Sequence, residues 1–237
     1  MRKRYFIAGT DTDAGKTMVA CALLAHARSQ GLITAAVKPV AAGCVDTTDG
    51  LRNDDADQLL VQCTVPLHYE QVNPIAFLEP IAPHIAAQKL GQRMQVDRLA
   101  GFTSGVLMQG ANLTLVEGAG GWRVPVNERE TLADLAISLS MPVILVVGMR
   151  LGCINHALLT VEAITKDGLK LAGWVANCVD PEMAELEANI ATLQSRIKAP
   201  MIGLVPHLTG ISTPSATVDA CHTDLALSMP LLFYTAQ

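Results

Sequence analysis

The amino-acid sequence predicts an α/β fold, with a mainly parallel sheet flanked by helices in a single domain over residues 1–237. Segments of strand character alternate with segments of helical spacing along most of the chain, which favours parallel strands joined by right-handed crossovers. The stretch Pro142–Gly148 is almost wholly apolar, as expected of a strand covered on both faces. No linker or internal repeat interrupts this pattern, and 50% of the residues are hydrophobic, enough to bury a large core.

The first part of the chain predicts a strand, a helix and a second strand. Arg4–Gly9 is a short apolar run that ends in glycine, as a buried strand does. Thr17–Gln30 has apolar residues at helical spacing and is followed by a glycine, a common helix end. Thr34–Val40 is predicted as the second strand, and it carries Lys38 and Pro39 near its end.

The next part of the chain is less regular. Residues 41–53 are rich in Gly, Thr and Asp and predict a loop, after which Asp54 can cap a helix that runs to Gln62. Prolines interrupt residues 65–79, which predicts an irregular surface segment. Two helices are then predicted, at residues 82–90 and 96–109.

Regular alternation returns in the second half. Asn112–Glu117 is an apolar strand that ends before four small residues, 118–121. Thr131, with Asp134 three residues later, has the pattern of a capping box and starts a helix. By the same periodicities, the later elements are the strand 142–148, a helix at 155–167, a strand at 172–177, a helix at 181–197 and a strand at 201–205. Residues 208–237 show no clear pattern, and no packing is predicted for them.

Composition and charge narrow the possible partners. The formal net charge of −5 and the lack of clustered Lys and Arg argue against a nucleic-acid partner. No run approaches the roughly 18–20 uncharged apolar residues of a membrane span, and no apolar stretch near the start resembles a signal peptide. Six cysteines are scattered without zinc-site spacing, several of them in apolar segments. We therefore expect a reduced, cytoplasmic protein without disulfides, and a small anionic ligand stays possible.

The strongest chemical signal is the loop from Gly9 to Thr17, GTDTDAGKT, which follows a strand and opens a helix. Backbone N–H groups in such a loop and the positive end of the helix dipole bind phosphates. Lys16 adds a positive charge near the β- and γ-phosphates, and the Thr17 hydroxyl can bind magnesium. Five residues rather than four separate Gly9 from Gly15, and Thr10 stands where the usual pattern has Gly. The loop predicts a nucleoside-triphosphate-using enzyme with the Rossmann-like architecture of phosphate-loop proteins.

Two further charged residues lie at predicted strand ends, the edge where α/β folds bind their ligands. Glu117 ends an apolar strand and is placed to bind the same magnesium, although it could also be a solvated carboxylate in a turn. Lys38 would lie beside the phosphate loop if the first two strands are neighbours. There it could steady an attacking anion, or it could be an ordinary surface lysine.

Other candidates stay ambiguous on spacing alone. One of Asp54 and Asp55 can cap a helix while the other binds a metal, and the spacing does not choose between them. The Asn177 amide can both donate and accept, which suits the edge of adenine, but a turn-forming Asn after a strand is equally compatible. His156 is better explained as a helix-start or packing residue than as a base. No histidine has a nucleophile or carboxylate at telling spacing, so no catalytic triad is predicted.

The motifs taken together resemble the dethiobiotin synthetase family. GTDTDAGKT, VKPVAAG, GLRNDDA, VNPIAF, LVEGAGGW, PVILVVGMRLGCINHALLT and GWVAN occur in that family's order, with Pro83-His84 after the fourth, and cover most of Arg4–Pro206. The combination of LVEGAGGW with LGCINHALLT is far more specific than a phosphate loop alone.

This resemblance implies an ATP- and magnesium-dependent cyclo-ligase of biotin biosynthesis that acts as a homodimer. Such enzymes close the ureido ring of dethiobiotin from 7,8-diaminopelargonic acid, carbon dioxide and ATP, through a carbamate and a carbamic–phosphoric anhydride. No enzyme nucleophile is needed, because the protein positions the reactants and neutralises charge.

The family's functional residues map onto this sequence by motif. The resemblance implies catalytic roles for Lys38, Lys16 and Thr12, and magnesium ligands at Thr17, Asp55 and Glu117, so it selects Asp55 over Asp54. ATP contacts are implied at Asp13, Ala14, Gly15, Lys16, Thr17, Met18, Asp55, Glu117, Gly118, Ala119, Gly120, Asn177, Val205, Pro206 and His207. Substrate contacts are implied at Lys38, Ala42, Gly152, Cys153, Ile154 and Asn155, the last four reaching the substrate carboxylate across the dimer interface.

Three features depart from the family pattern. Ala42 stands where many members place a Ser that contacts the substrate, a hydrogen bond worth about 0.5–1.5 kcal/mol. Asp13 replaces a more frequent Glu in the loop. The segment after His207 does not resemble the family, which puts its contribution to the nucleotide pocket in doubt.

Three alternatives are weighed against this interpretation. A related ATP-dependent ligase would act on another acid and would hydrolyse nucleotide when given some other amine. An ATPase of the partitioning type would carry an additional lysine early in the phosphate loop, where this chain has Thr10-Asp11-Thr12-Asp13. A non-catalytic binding module would have lost the lysines and metal ligands, which are all present here.

Overall fold

The computed structural model describes residues 2–207, and these residues alternate strands and helices as the sequence predicts. In chain order the strands are β1 Lys3–Gly9, β2 Thr34–Val37, β3 Val40–Ala42, β4 Val45–Thr47, β5 Gly50–Arg52, β6 Ile75–Phe77, β7 Leu113–Glu117, β8 Val143–Gly148, β9 Leu171–Asn177 and β10 Met201–Val205. The helices are α1 Lys16–Ser29, α2 Asp54–Val61, α3 Tyr69–Val72, α4 Pro83–Lys89, α5 Val96–Leu107, α6 Leu132–Ser138, α7 Cys153–Lys166 and α8 Leu186–Arg196.

Six strands form one parallel sheet in the order β10-β9-β8-β1-β7-β2. The predicted α/β class with a mainly parallel sheet is therefore confirmed. The carboxyl ends of all six strands lie at the same edge of the sheet, because neighbouring strands run parallel. That edge carries Glu117 on β7, Asn177 on β9 and, directly after β2, Lys38.

The core lies on both faces of this sheet. Every residue of β8 is buried, as its apolar run predicts. Successive side chains of a strand point to opposite faces, so Phe6 packs into one apolar cluster and Ile7 into the other. Burial of this kind stabilises by roughly 25 cal/mol per Å² of apolar surface removed from water.

Several predicted boundaries are wrong near the second strand. The strand predicted through Val40 ends at Val37, because Pro39 has no N–H to continue the ladder. Val40–Ala42 instead pairs with β6 in a separate two-stranded sheet, and residues 45–52 form a β4–β5 hairpin where a loop is predicted. The irregular segment 65–79 contains α3 and β6.

Several helix starts also differ from prediction. Asn53, not Asp54, is the N-cap of α2, and its side chain accepts a hydrogen bond from the N–H of Ala56. α7 begins two residues earlier than predicted, and α8 begins at Leu186 rather than at Pro181. The capping box at Thr131 is confirmed, because its N–H donates to the Asp134 carboxylate at 2.6 Å.

Three other findings concern the chain as a whole. No helix within residues 2–207 is long and apolar enough to cross a membrane. The five cysteines in the same range are free thiols. The expectation about residues 208–237 lies outside the described residues.

Candidate active site

The phosphate loop joins the end of β1 to the start of α1, as predicted. Gly15 is the N-cap of α1 with φ of 88°, and Asp13 also has a positive φ, of 58°. The Lys16 ammonium folds back over the loop and donates to the carbonyl of Asp11 at 3.1 Å. A side chain at Gly9 would place its Cβ 2.9 Å from that carbonyl and 3.1 Å from the ammonium, so only glycine fits there.

A lysine and two carboxylates meet beside this loop. The Lys38 ammonium donates to Asp55 Oδ2 at 2.6 Å and to Glu117 Oε1 at 2.7 Å. The Thr17 hydroxyl donates to the same Glu117 oxygen at 2.7 Å. Lys38 and Glu117 are both buried, whereas the Asp55 side chain is 44% exposed. Residues from α1, α2, β7 and the segment directly after β2 therefore form one charged cluster.

Strand order explains why these groups meet. Lys38 is expected beside the phosphate loop if the first two strands of the chain are neighbours. They are not neighbours, because β7 lies between β1 and β2. β7 pairs Glu117 with Ile7 on one side and Val116 with Val37 on the other. Glu117 thus lies between Lys38 and the phosphate loop, and its carboxylate contacts both the Lys38 ammonium and the Thr17 hydroxyl.

The two lysines of the site differ in their electrostatic surroundings. Burial alone lowers the pKa of Lys38, but the charges of Glu117 and Asp55 and their hydrogen bonds outweigh it, so the pKa of Lys38 is raised. Burial lowers the pKa of Lys16, which Glu117 partly opposes. Burial raises the pKa of Asp55, but Lys38 outweighs it and the pKa is lowered. Lys38 and Asp55 are thus both held in their charged forms.

The Asp54 and Asp55 side chains have different surroundings. The Asp54 carboxylate accepts from the Gln58 side chain at 3.0 Å on the exposed face of α2. The Asp55 carboxylate faces the cluster and contacts Lys38. Only Asp55 lines the cavity described below.

The residues of the cluster suit a magnesium ion. Among the described residues, Glu117 Oε2 is buried and has no hydrogen-bond partner. The Lys38 ammonium already bridges the two carboxylates, so positive charge is accommodated there. No three His, Cys, Asp or Glu side chains converge on a metal site within residues 2–207. Magnesium does not require such a cage, because it commonly binds through one or two carboxylates together with waters and substrate phosphates.

A cavity of about 720 Å³ opens over the loop and the cluster. Its walls include twelve of the predicted site residues: Thr12, Asp13, Gly15, Lys16, Thr17, Met18, Lys38, Ala42, Asp55, Glu117, Ala119 and Gly120. Ala42 contributes a methyl group where the family pattern has a hydroxyl.

Other lining residues were not predicted from the sequence. They are Ala41, Asn53, Gln58, the segment Pro80–Pro83, Val124 and Pro125. Val124 and Pro125 lie in the loop between β7 and α6, and Pro80 lies shortly after β6. Loops at strand ends are where α/β folds place ligands, so the position of these segments is the signal that could have found them. The sequence pattern does not predict β6, so it gives no reason to place the segment after β6 at a strand end.

A second group of predicted residues lies at the ends of β9 and β10. The Asn177 amide nitrogen donates to the Ala14 carbonyl of the phosphate loop at 2.8 Å, while its oxygen is buried and has no hydrogen-bond partner within residues 2–207. Asn177 pairs in register with Val205. His207 lies near the Cys178 carbonyl, at 3.2 Å from its Nδ1. A buried, unpartnered amide oxygen beside a phosphate loop is suited to accept a hydrogen bond from a ligand amine.

The turn Gly152–Asn155 lies apart from this cavity. Gly152 is the left-handed N-cap of α7, with φ of 95°. Leu151, beside it, is 97% exposed, whereas Cys153 is buried. None of the four residues lines the cavity of its own chain. Gly118 is not among the residues that line the cavity, and a Cβ at this position would lie 3.1 Å from the Phe6 ring.

Solved structures share the fold of this chain. The MinC:MinD cell division protein complex of Aquifex aeolicus matches with a TM-score of 0.60 at 12% identity, over 99% of this chain and 98% of that one. The septum site-determining protein MinD of Pyrococcus horikoshii, complexed with Mg-ADP, matches with a TM-score of 0.55 at 16% identity, over 96% and 89%. These low identities are informative about the fold alone.

Sequence comparison defines the family. A family model described as an AAA domain matches residues 3–215. The ATP-dependent dethiobiotin synthetase of Chromohalobacter salexigens is 50% identical over 94% of this chain and 97% of its own. That of Pseudomonas aeruginosa is 58% identical over 93% and 96%. The enzyme of Cellvibrio japonicus is 60% identical over 98% of both chains. Identity of this extent over nearly the whole chain places the protein in the ATP-dependent dethiobiotin synthetase family.

Proposed function

We propose that this protein is a dethiobiotin synthetase, which joins 7,8-diaminopelargonic acid and carbon dioxide at the expense of ATP and releases dethiobiotin, ADP and phosphate. The observation that carries the proposal is the Lys38 ammonium, buried beside Glu117 and Asp55 and next to the phosphate loop. Family membership supplies the substrates. The reaction belongs to biotin biosynthesis, and we expect it to take place in the cytoplasm.

The first step needs little from the protein besides binding. One substrate amine attacks carbon dioxide, forms an N–C bond and loses a proton, which gives a carbamate. The Lys38 ammonium, kept protonated by its two carboxylates, is placed to bind a carbamate oxygen. A fixed positive charge in a buried site stabilises an anion more strongly than water-exposed charge does.

The second and third steps transfer the phosphoryl group and close the ring. A carbamate oxygen attacks the γ-phosphorus of ATP, and the bond to the β–γ bridging oxygen breaks to release ADP. The second amine then attacks the carbonyl carbon of the mixed anhydride, phosphate departs and a proton is lost. Lys16 would neutralise the transferred phosphoryl group, and the Thr12 hydroxyl, on the cavity wall, can bind it.

The remaining residues would hold magnesium and the adenine base. Thr17, Asp55 and Glu117 would hold magnesium, which neutralises phosphate charge when bound. The unpartnered oxygen of Asn177 would accept from the adenine amino group, and Val205, Pro206 and His207 would line the base. Phosphates would bind to the N–H groups of residues 13–18 and along the small residues 118–120.

The substrate carboxylate is assigned to the turn Gly152–Asn155 of a second subunit in a homodimer. The N–H of Cys153 in the first turn of α7 donates to the Arg150 carbonyl at 3.0 Å, so a bound anion would be contacted by the N–H groups of Ile154 and Asn155. Leu151 and Leu159 are 97% and 57% exposed beside this turn, and exposed apolar side chains of this size are often covered in an assembly.

The test is formation of dethiobiotin from the diamine, bicarbonate, ATP and magnesium. We expect the wild-type protein to form it and Lys38→Ala to lose at least about a hundredfold in kcat, since a buried charge that contacts the reacting group is removed. Lys170→Ala, at an exposed position away from the cavity, is the matched control and should be unaffected. Failure of the wild type to form dethiobiotin, with nucleotide hydrolysis stimulated by a different amine, would favour a related ligase.

A further inference from the structure

A buried chain of hydrogen bonds connects the main chain of Lys38 to the first turn of the helix that carries Asp55. The Tyr69 hydroxyl accepts from the N–H of Asn53 at 2.7 Å and donates to the side-chain oxygen of Asn73 at 3.1 Å. The Asn73 amide nitrogen donates to the Lys38 carbonyl at 2.7 Å. One phenol thus joins segments that are far apart along the chain.

Each polar group in this chain has a partner inside the protein. Tyr69, Asn73 and Asn53 are 8%, 3% and 8% exposed. The Asn73 amide also donates to the Ile75 carbonyl at 3.3 Å, and Asn53 caps α2 through the N–H of Ala56 at 3.2 Å. A buried polar group left without a partner is costly, so such a network specifies one arrangement of its segments.

The two ends of the chain of hydrogen bonds are also joined through the active site. Lys38 Nζ contacts Asp55 Oδ2 at 2.6 Å, and Asp55 follows the cap residue Asn53 by two positions. Main-chain and side-chain contacts therefore close a ring that runs from Lys38 through Asn73, Tyr69 and α2 back to Lys38. The distance between the ammonium and the carboxylate is set within this ring.

The surroundings of Tyr69 hold it in place. The guanidinium carbon of Arg52 lies 3.8 Å from the centre of the Tyr69 ring, an arrangement in which a cation stacks on the ring face. Neither Tyr69 nor Asn73 lines the cavity, whereas Asn53, Lys38 and Asp55 do. Tyr69 is therefore placed to act through other residues rather than on a ligand.

We propose that Tyr69, with Asn73, is a positioning residue that sets the Lys38–Asp55 geometry for attack by the carbamate. This inference rests on the proposed function, since it gives Tyr69 a role in the reaction assigned to Lys38. The phosphate loop with Lys16 connects β1 to α1. The hydrogen bonds of the Tyr69 hydroxyl are made to Asn53 and Asn73, outside that loop. The role therefore concerns Lys38 and Asp55, the second of which is also a proposed magnesium ligand, and not the phosphate loop itself.

The test is Tyr69→Phe, which removes one oxygen and leaves the Asn53 N–H and the Asn73 oxygen buried without partners. We expect kcat to fall about tenfold or more, because small misplacements of reacting groups are costly, and KM for the diamine to rise. The Kd of a fluorescent ATP analogue, measured without magnesium, should stay within about twofold of wild type, since Lys16 is not displaced.

Thr103→Val is the matched control, because it also deletes a buried hydroxyl, one that donates to the Leu99 carbonyl at 2.8 Å on α5. It should change thermal stability without changing kcat or KM. Should Tyr69→Phe fail to fold, Asn73→Ala breaks the same connection to the Lys38 carbonyl and should show the same kinetic pattern.

Two results would overturn the inference while the wild type remains active. One is a Tyr69→Phe variant with unchanged kcat and KM and only a lower melting temperature, which would indicate a purely structural role for Tyr69. The other is an equal loss of nucleotide affinity and kcat, which is a general distortion of the site. A wild type that forms no dethiobiotin contradicts the proposed function itself, and the role of Tyr69 with it.

Discussion

Two lysines of the same site show how the charge of a single side chain depends on its nearest partners. Lys38 and Lys16 are both buried, and burial favours the neutral amine in each. Lys38 has two carboxylate oxygens at 2.6 and 2.7 Å, and they raise its pKa. Lys16 donates to a carbonyl oxygen at 3.1 Å, and its pKa stays lowered because burial outweighs the nearby carboxylates. Bound phosphates would give Lys16 the anionic partner that it lacks.

Cys63 provides a pH test of side-chain burial away from the site. Burial raises the pKa of the Cys63 thiol from 9.0 to about 11. The thiolate is the reactive form, so a raised pKa means less of it at any pH below 11; at pH 8 the fraction is about a hundredfold smaller than for an ordinary thiol. We expect iodoacetamide to label Cys63 slowly at pH 8 and much faster as pH rises through 10 and 11.

The labelling is measured by mass spectrometry of the peptide that contains Cys63, with Cys63→Ser to verify the assignment. The urea-unfolded protein at pH 8 is the control and should react at the rate of a free cysteine. Equal rates in the folded and unfolded protein would contradict the effect of burial on this thiol.

Among the elements, the loop after β7 and helix α7 are tied together by one carboxylate. Asp167 accepts from the Trp122 indole N–H at 2.8 Å through one oxygen and from the Arg123 guanidinium at 2.7 Å through the other. An acidic residue at a helix C-terminus is unfavourable for the helix dipole. Asp167 therefore contributes to stability through the loop, whose flanking residues Ala119, Gly120, Val124 and Pro125 line the cavity.

We expect Asp167→Ala to lower the free energy of unfolding by about 1–3 kcal/mol, because the indole N–H of Trp122, only 5% exposed, is left without a partner. Asp167→Asn keeps an acceptor oxygen and should lose less. Arg123→Ala removes only a half-exposed ion pair, worth about 0–1 kcal/mol. Urea unfolding monitored by fluorescence compares the three. Equal losses for Asp167→Ala and Arg123→Ala would show that the indole contact is not the stabilising one.

At the scale of the whole molecule, each active site of the proposed dimer would contain residues from both subunits. Lys38 would come from one subunit and the turn Gly152–Asn155 from the other. Lys38→Ala damages the first part and Gly152→Asp the second, since it puts a negative charge and a side chain at a residue with φ of 95°. Each variant alone should be inactive.

Mixed subunits of these two variants should regain activity. Random reassembly makes about half of the dimers mixed, and each mixed dimer has one intact site of two, so about a quarter of wild-type activity is expected. Each variant subjected to the same reassembly alone is the control. No recovery, with mixed dimers verified by native mass spectrometry, would mean that each site is built within one subunit.

Local pattern was sufficient for much of this protein. The phosphate loop, the apolar strand β8 and the capping box at Thr131 depend on neighbouring residues and their periodicity, which a sequence displays directly. Glu117 and Asn177 could be recognised as strand-end residues for the same reason. The substrate could not be inferred in this way, and it came from family resemblance.

The tertiary structure decided which distant residues meet. It inserted β7 between β1 and β2, and so placed Glu117 between Lys38 and the phosphate loop. In the folded chain β2 ends before Lys38, and Asp55 rather than Asp54 faces the cluster. The Tyr69 hydroxyl is buried between Asn53 and Asn73. Side-chain periodicity is a local property of the backbone, whereas strand order and buried hydrogen-bond partners are chosen by the packing of the whole core.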